Sequence, residues 1–262
     1  MMRFLLILWL LIYAFFFIFP SLIAGDPYTT HPELALAAPS LEHLMGMDHL
    51  GRDVLIRWLW GGQHTLFLSL LGLGIVCLVG ILLTSLLALL PPLGRQFLEV
   101  ILNAYLSIPG IILALMILTV LGRGSIQVVI ALALTYIANF VLVMSTNFYQ
   151  VLNSTFVQAS LALGADRKHI LKQHVLITIL PLLVSYLLVL FSYMIISIAG
   201  FAFLGLMGDP TQPDWGIMLA ESRNGFRVSP WIALFSGGSI VFVVGLANLT
   251  VDRLNQYWTA SN

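Results

Sequence analysis

The stretch richest in groups that could do chemistry is FVQASLALGADRKHILKQHVLITILP, residues 156 to 181, a polar region between strongly apolar runs. Its spacing suits a mechanical contact rather than a bond-making step. Phe156, Ser160 and Leu163 recur one helical turn apart, with Ala159 beside Ser160, so one face of a short helix is apolar and small. Gly164 breaks that helix, and Asp166 is placed to cap a second one over Arg167 to Leu176. In that second helix Ile170, Leu171, His174 and Val175 face inward, while Arg167, Lys168 and Lys172 face water. A helix, a glycine turn and a basic helix make a rigid knob suited to docking a soluble partner.

Other chemistries find little support. His31, His43, His49 and His64 invite a metal site, yet none has a ligand pair at i, i+4 and no cysteine accompanies them, so a structural role is expected and no metal. The sole cysteine, Cys77, falls in the middle of an apolar run and reads as small core filler. There is no Gly-x4-Gly-Lys-Ser/Thr loop for phosphates, no His-Glu-x2-His helix and no Gly-x-Ser-x-Gly elbow. Between Leu66 and Val251 the acids are confined to loops apart from Glu99, which argues against an intramembrane hydrolase and a proton-coupled carrier. The chain is expected to be non-catalytic, to bind no cofactor itself, and to have no nucleic-acid partner.

The elements that must position the knob are set by composition. With 60 % apolar and 8 % charged residues and a mean hydropathy of +1.02, the chain is far from a soluble domain, which carries roughly 25 % charged residues. It belongs in lipid as an all-α integral membrane protein, because lipid offers no partner for unpaired backbone groups. Six runs can each cross a core of about 30 Å: about 4–24, 66–90, 97–121, 126–146, 178–206 and 231–251. Residues 1–262 then form a single membrane domain whose polar loop, 147–177, carries the knob.

Arg3, Arg95, Arg167, Lys168, Lys172 and Arg253 fall on one side of such a bundle. Most acids, Asp26, Glu33, Glu42, Asp48, Asp53, Asp209, Asp214 and Glu221, fall on the other. That distribution puts both termini and the knob in the cytoplasm. The first run, Phe4 to Phe19 with Ala24 near a small-residue cleavage site, has the form of a signal peptide as well as of a span.

Along the outer side, residues 25–62 begin extended around Pro27, Pro32 and Pro39. A short interfacial helix is expected from Asp48 as cap, with Leu55, Trp58 and Leu59 on its apolar face and Trp58 and Trp60 at the lipid headgroups. Pro109 and Gly110 predict a kink in the third span, and Trp215 to Glu221 a short outer helix. Polar side chains inside lipid need partners or a wet path. Asn139, Ser192, Ser197 and Asn248 are therefore candidates to line a translocation path, with helix-to-helix hydrogen bonding as the alternative.

Three motifs in order resemble one family. Gln158, Ala159, Ser160 and Gly164, then Ile177 and Leu180 with Pro181, are similar to the cytoplasmic Glu-Ala-Ala-x3-Gly loop of ABC importer permeases. MDHLGRDVLIRWLWGG (47–62) and FAFLGLMGDPTQPDWGIMLAESR (201–223) resemble segments of the dipeptide, oligopeptide and nickel permeases. The departures are Gln158 for Glu, Ile177 for an earlier Pro, and Leu142 and Ser145 where related chains have Arg. The docking surface here carries less charge than the family's.

The resemblance implies a type I ABC importer permease fold in a bacterial cytoplasmic membrane, with Gln158, Ala159, Ser160, Gly164, Ala165 and Asp166 as the ATPase-docking residues. It implies a second homologous permease chain, this one being the C-type, two ABC ATPase subunits that bind ATP and Mg, and an extracytoplasmic binding protein. IAGFAFLGL (198–206) looks closer to nickel and metallophore permeases than to peptide permeases, so nickel or a metal chelate is the favoured cargo and di- or oligopeptides the alternative. A non-transport membrane scaffold recruiting a cytosolic partner through the same loop is the reading from another class.

Overall fold

The computed structural model describes the backbone of residues 2–22, 25–223 and 225–261. Among these the regular structure is helical, and the one β-type pairing is an isolated bridge between Met47 and Asp53. The all-α expectation holds. The helices are α1 (Met2–Leu22), α2 (Val54–Leu89), α3 (Pro92–Leu106), α4 (Gly110–Leu121) and α5 (Ser125–Leu152). They continue with α6 (Thr155–Ala162), α7 (Arg167–Ile170), α8 (Leu176–Phe203), α9 (Trp215–Ser222) and α10 (Trp231–Ser261).

Four of these, α2, α5, α8 and α10, are unbroken and apolar enough to cross a membrane among the described residues. The third expected span is different. Its two halves, α3 and α4, meet at 89°, a break rather than a kink. Pro109 has no N–H for the ladder and pushes Ile108 out of helical backbone, so α3 stops at Leu106 and α4 restarts behind Pro109. In α1, a helix of 21 residues, the apolar stretch among the described residues is Ile7–Leu22.

The expected interfacial helix is likewise absent as a separate element. The chain enters α2 at Val54, and that helix of 36 residues is about 54 Å long at 1.5 Å per residue. It is longer than a core of about 30 Å requires. Its cap is Asp53, whose Oδ1 accepts from the N–H groups of Leu55 at 2.8 Å and Ile56 at 3.2 Å. Asp48, the residue expected there, is taken by a charge cluster described below. Trp58 and Trp60, expected at headgroups, are hydrogen-bonded within the protein: the Trp58 indole donates to Ser239 Oγ at 2.7 Å and Trp60 to the Gly25 carbonyl at 3.3 Å.

Lipid tails are as apolar as leucine, so these helices associate through close fit and small residues. In one cluster Leu68 and Val76 of α2 meet Val129, Ala133 and Phe140 of α5 and Met194 and Ile198 of α8. A Cβ on Gly80 would strike the Phe140 ring, so α2 and α5 approach only because glycine stands there. A second cluster joins Trp9 and Phe16 of α1, Leu59 and Leu66 of α2, Phe191 and Ile195 of α8 and Trp215 of α9 to α10. The Trp9 indole donates to Thr250 Oγ1 at 3.1 Å, tying α1 to α10.

Candidate coupling and translocation site

The knob lies between the C-terminus of α5 and the N-terminus of α8. Helix α6 ends in a paired-carbonyl turn: Gly164 N–H donates to Leu161 O at 2.9 Å and Ala165 N–H to Ser160 O at 3.0 Å. This is the Schellman pattern, which needs a left-handed residue at its corner, and Gly164 supplies φ +89°. Asp166 then caps α7 as expected, its Oδ1 accepting from His169 N–H at 2.7 Å.

A small core of Val157, Ile170 and Val175, with Phe148, Val151, Leu152, Ala165 and Ile179 around it, fixes the knob to α5 and α8. Phe156 and Leu163 point outward, and Leu163 is 89 % exposed. Gln158 and Ala159 are exposed beside them, with Gln158 Nε2 donating to Leu152 O at 3.1 Å. Ser160 Oγ bonds back to Phe156 O at 2.9 Å.

The second helix of the knob departs from expectation. It does not end near Leu176 but passes through a π-helical turn, Leu171–Val175, straight into α8. The wider turn shifts the register, so Ile170 and Val175 stay buried while Leu171, expected inside, is exposed. The side chains of Arg167, Lys168, Lys172 and His174 lie outside the described residues.

Of the four path candidates, the structure brings none into a common cavity. Ser192 is buried and bonds to Leu188 O of its own helix at 3.3 Å. Asn248 is exposed on α10 and bonds to Val244 O at 3.0 Å. Ser197 meets the Tyr136 hydroxyl at 2.8 Å across the α5–α8 seam, and Asn139 is exposed on α5 three residues beyond Tyr136. Tyr193 stacks on Tyr136 with centroids 6.5 Å apart. A cleft at this seam is lined by Gly110, Thr135, Tyr136, Ser197 and Gly200.

At the other end of the bundle, sequence reasoning missed a buried charge cluster. Asp48 Oδ2 is 2.6 Å from Arg52 Nε and 3.4 Å from Arg57 Nε. Glu221 Oε1 takes Arg52 Nη2 at 2.8 Å, and its Oε2 takes Arg57 Nη2 at 3.1 Å. Arg57 also donates to Thr211 O at 3.2 Å. The signal was the concentration of scarce charges in two distant segments, residues 48–57 and 209–221.

The histidines lie beside these acids: His43 is 2.8 Å from Asp53 and His64 is 3.1 Å from Asp214. His49 approaches Asp48 and Glu221 as a metal site would, but the two guanidinium groups already occupy both carboxylates. Asp214 caps α9 and also accepts from Thr65 Oγ1 at 2.7 Å, so α9 is pinned to α2.

The described residues thus form a helical bundle with a broken third span and a glycine-cornered knob between α5 and α8. The fold matches the inward-facing MetNI methionine ABC transporter with a TM-score of 0.57, at 18 % identity over 77 % of this chain and 96 % of that one. Residues 77–259 match the family described as binding-protein-dependent transport system inner membrane component. The chain belongs to that family. It is similar to the glutathione transport system permease protein GsiD of Escherichia coli O6:K15:H31 and of Shigella boydii serotype 4, 33 % identical over 220 residues, covering 82 % of this chain and 71 % of each relative. The chain is thus the permease subunit of an ABC importer, a class of multi-pass membrane protein that works with ATPase and substrate-binding partners.

Proposed function

We propose that residues 1–262 act as one permease domain, half of a heterodimeric importer in a bacterial cytoplasmic membrane, and that the cargo is a small peptide. The observation that carries the peptide reading is the 33 % identity to the glutathione permeases over four-fifths of the chain. Both termini and the knob face the cytosol, where two ATPase subunits seat against Gln158, Ala159, Ser160, Gly164, Ala165 and Asp166. ATP and Mg stay on those subunits. Their closure pushes the knob, and because α7 runs without a break into α8, the push becomes a rigid-body movement of the span. Asn139 and Ser197 line the path beside Tyr136, while Ser192 and Asn248 serve their own helices.

Nickel or a metal chelate is the second reading, favoured by IAGFAFLGL at residues 198–206. Uptake of a labelled glutathione-type tripeptide and of labelled nickel, compared in a strain lacking this chain and in one with it restored, separates the two. Restoration of peptide uptake alone is expected; restoration of nickel uptake alone overturns the peptide reading. Co-purification without any ATPase would instead favour the membrane scaffold.

A further inference from the structure

A cleft of about 630 Å³ opens at the end of the bundle opposite the knob, lined by the chain that follows α8, by α9 and by the turn between α4 and α5. Its walls are tied together by backbone. Gly124 N–H donates to Leu206 O at 3.1 Å and Ser125 Oγ to Met207 O at 3.4 Å, and a Cβ on Gly208 would lie 3.1 Å from Gly124 Cα. This close approach sets Arg123 on the rim. Arg223 stands across the same cleft, its guanidinium 4.7 Å from the Phe203 ring centroid, with Nε donating to Ala220 O at 3.3 Å.

The charges of this cleft are not balanced. Glu221 is already held by Arg52 and Arg57. Asp209 is bonded to the N–H and hydroxyl of Thr211, which hold its carboxyl below the usual range and keep it charged. Arg123 and Arg223 form no ion pair among the described residues. Two unpaired guanidinium groups thus face one aspartate in a space the size of a small-molecule pocket, typically about 300–1,000 Å³.

We propose that this cleft is an outer antechamber that takes the free carboxylate of the peptide cargo, with Arg123 and Arg223 as its cationic walls. Planar guanidinium groups match a carboxylate with paired N–H donors. The inference rests on the peptide reading above and adds to it a preference among peptides.

The test uses the assembled importer in proteoliposomes, with its binding protein loaded equally with a tripeptide or with the same tripeptide as its C-terminal amide. Arg123→Gln and Arg223→Gln should each lower uptake of the acid by about tenfold, the size of one charge-assisted hydrogen bond. Uptake of the amide should stay at its wild-type rate, and Arg→Lys at either site should restore part of the acid rate. Equal loss of acid and amide, or no loss of either, overturns the antechamber while leaving the peptide reading intact. Wild-type transport of neither peptide overturns both.

Discussion

Arg52 and Glu221 are 169 residues apart in the chain and joined by a 2.8 Å hydrogen bond from Nη2 to Oε1. Arg57 reaches the other oxygen of that carboxylate at 3.1 Å, so one acid on α9 restrains two guanidinium groups that are 3 % and 1 % exposed. Taking charges out of water is costly, and the cluster is tolerable because each charge has an opposite within reach. Its effect is to lock the start of α2 and residues 48–52 onto α9.

Glu221→Ala should therefore destabilise the protein by about 3–5 kcal/mol, the range for leaving a buried charge without its partner. Thermal unfolding of the detergent-solubilised chain measures this. Glu221→Gln, which keeps one acceptor, should fall between the variant and the wild type. An unchanged midpoint in Glu221→Ala would mean that water reaches both arginines.

This cluster marks where sequence reading stopped. The Gly164 corner and the Asp166 cap were legible because turn and cap chemistry acts over three or four residues. The four unbroken spans, α2, α5, α8 and α10, were legible because their apolar runs are long. Asp48 was misread as a cap because Arg52 and Arg57 take its carboxylate, and both arginines are held in turn by Glu221, a partner no local pattern can supply. Leu171 was misplaced because a π-turn changes the helical period by a register no spacing rule anticipates. A kink at Pro109 was expected, but the full break at 89° was not, since the spacing of Pro109 and Gly110 says nothing of how far the two halves turn.

Gly164 offers a separable test of geometry and bulk. Nothing lies within 4 Å of where its Cβ would sit, so a side chain meets no obstacle. The obstacle is φ +89°, which costs an ordinary L-residue roughly 1–2 kcal/mol in left-handed backbone. Gly164→Val should abolish uptake and the coupling of ATPase activity to transport, with normal membrane yield. Gly164→Asn, better suited to left-handed backbone, should retain both in large part. Full activity in the valine variant would separate the shape of the knob from coupling.

Gly216 and Gly238 make a matched pair. A Cβ on Gly216 would lie 2.5 Å from the Ala199 carbonyl oxygen and 2.7 Å from its Cα, so α9 would have to leave α8. Gly238 has open space around it. Gly216→Ala should cut the yield of folded protein and lower its unfolding midpoint by several degrees, since overpacking costs about 1–3 kcal/mol. Gly238→Ala should be neutral within about 0.5 kcal/mol. Size-exclusion profiles and thermal melts of the two variants check the contrast.

Leu163 gives the sharpest test of which face carries the knob. Leu163 at the end of α6 is 89 % exposed, next to the residues proposed to dock the ATPases. With Cys77 replaced by alanine, Leu163→Cys is the chain's single thiol. A membrane-impermeant maleimide should label it in inside-out vesicles and leave it unlabelled in intact cells. Adding the ATPase subunits should then protect it, because burying this side chain is what docking at the knob requires. Labelling from intact cells would reverse the topology; labelling that persists with the ATPases bound would move their contact elsewhere on the chain.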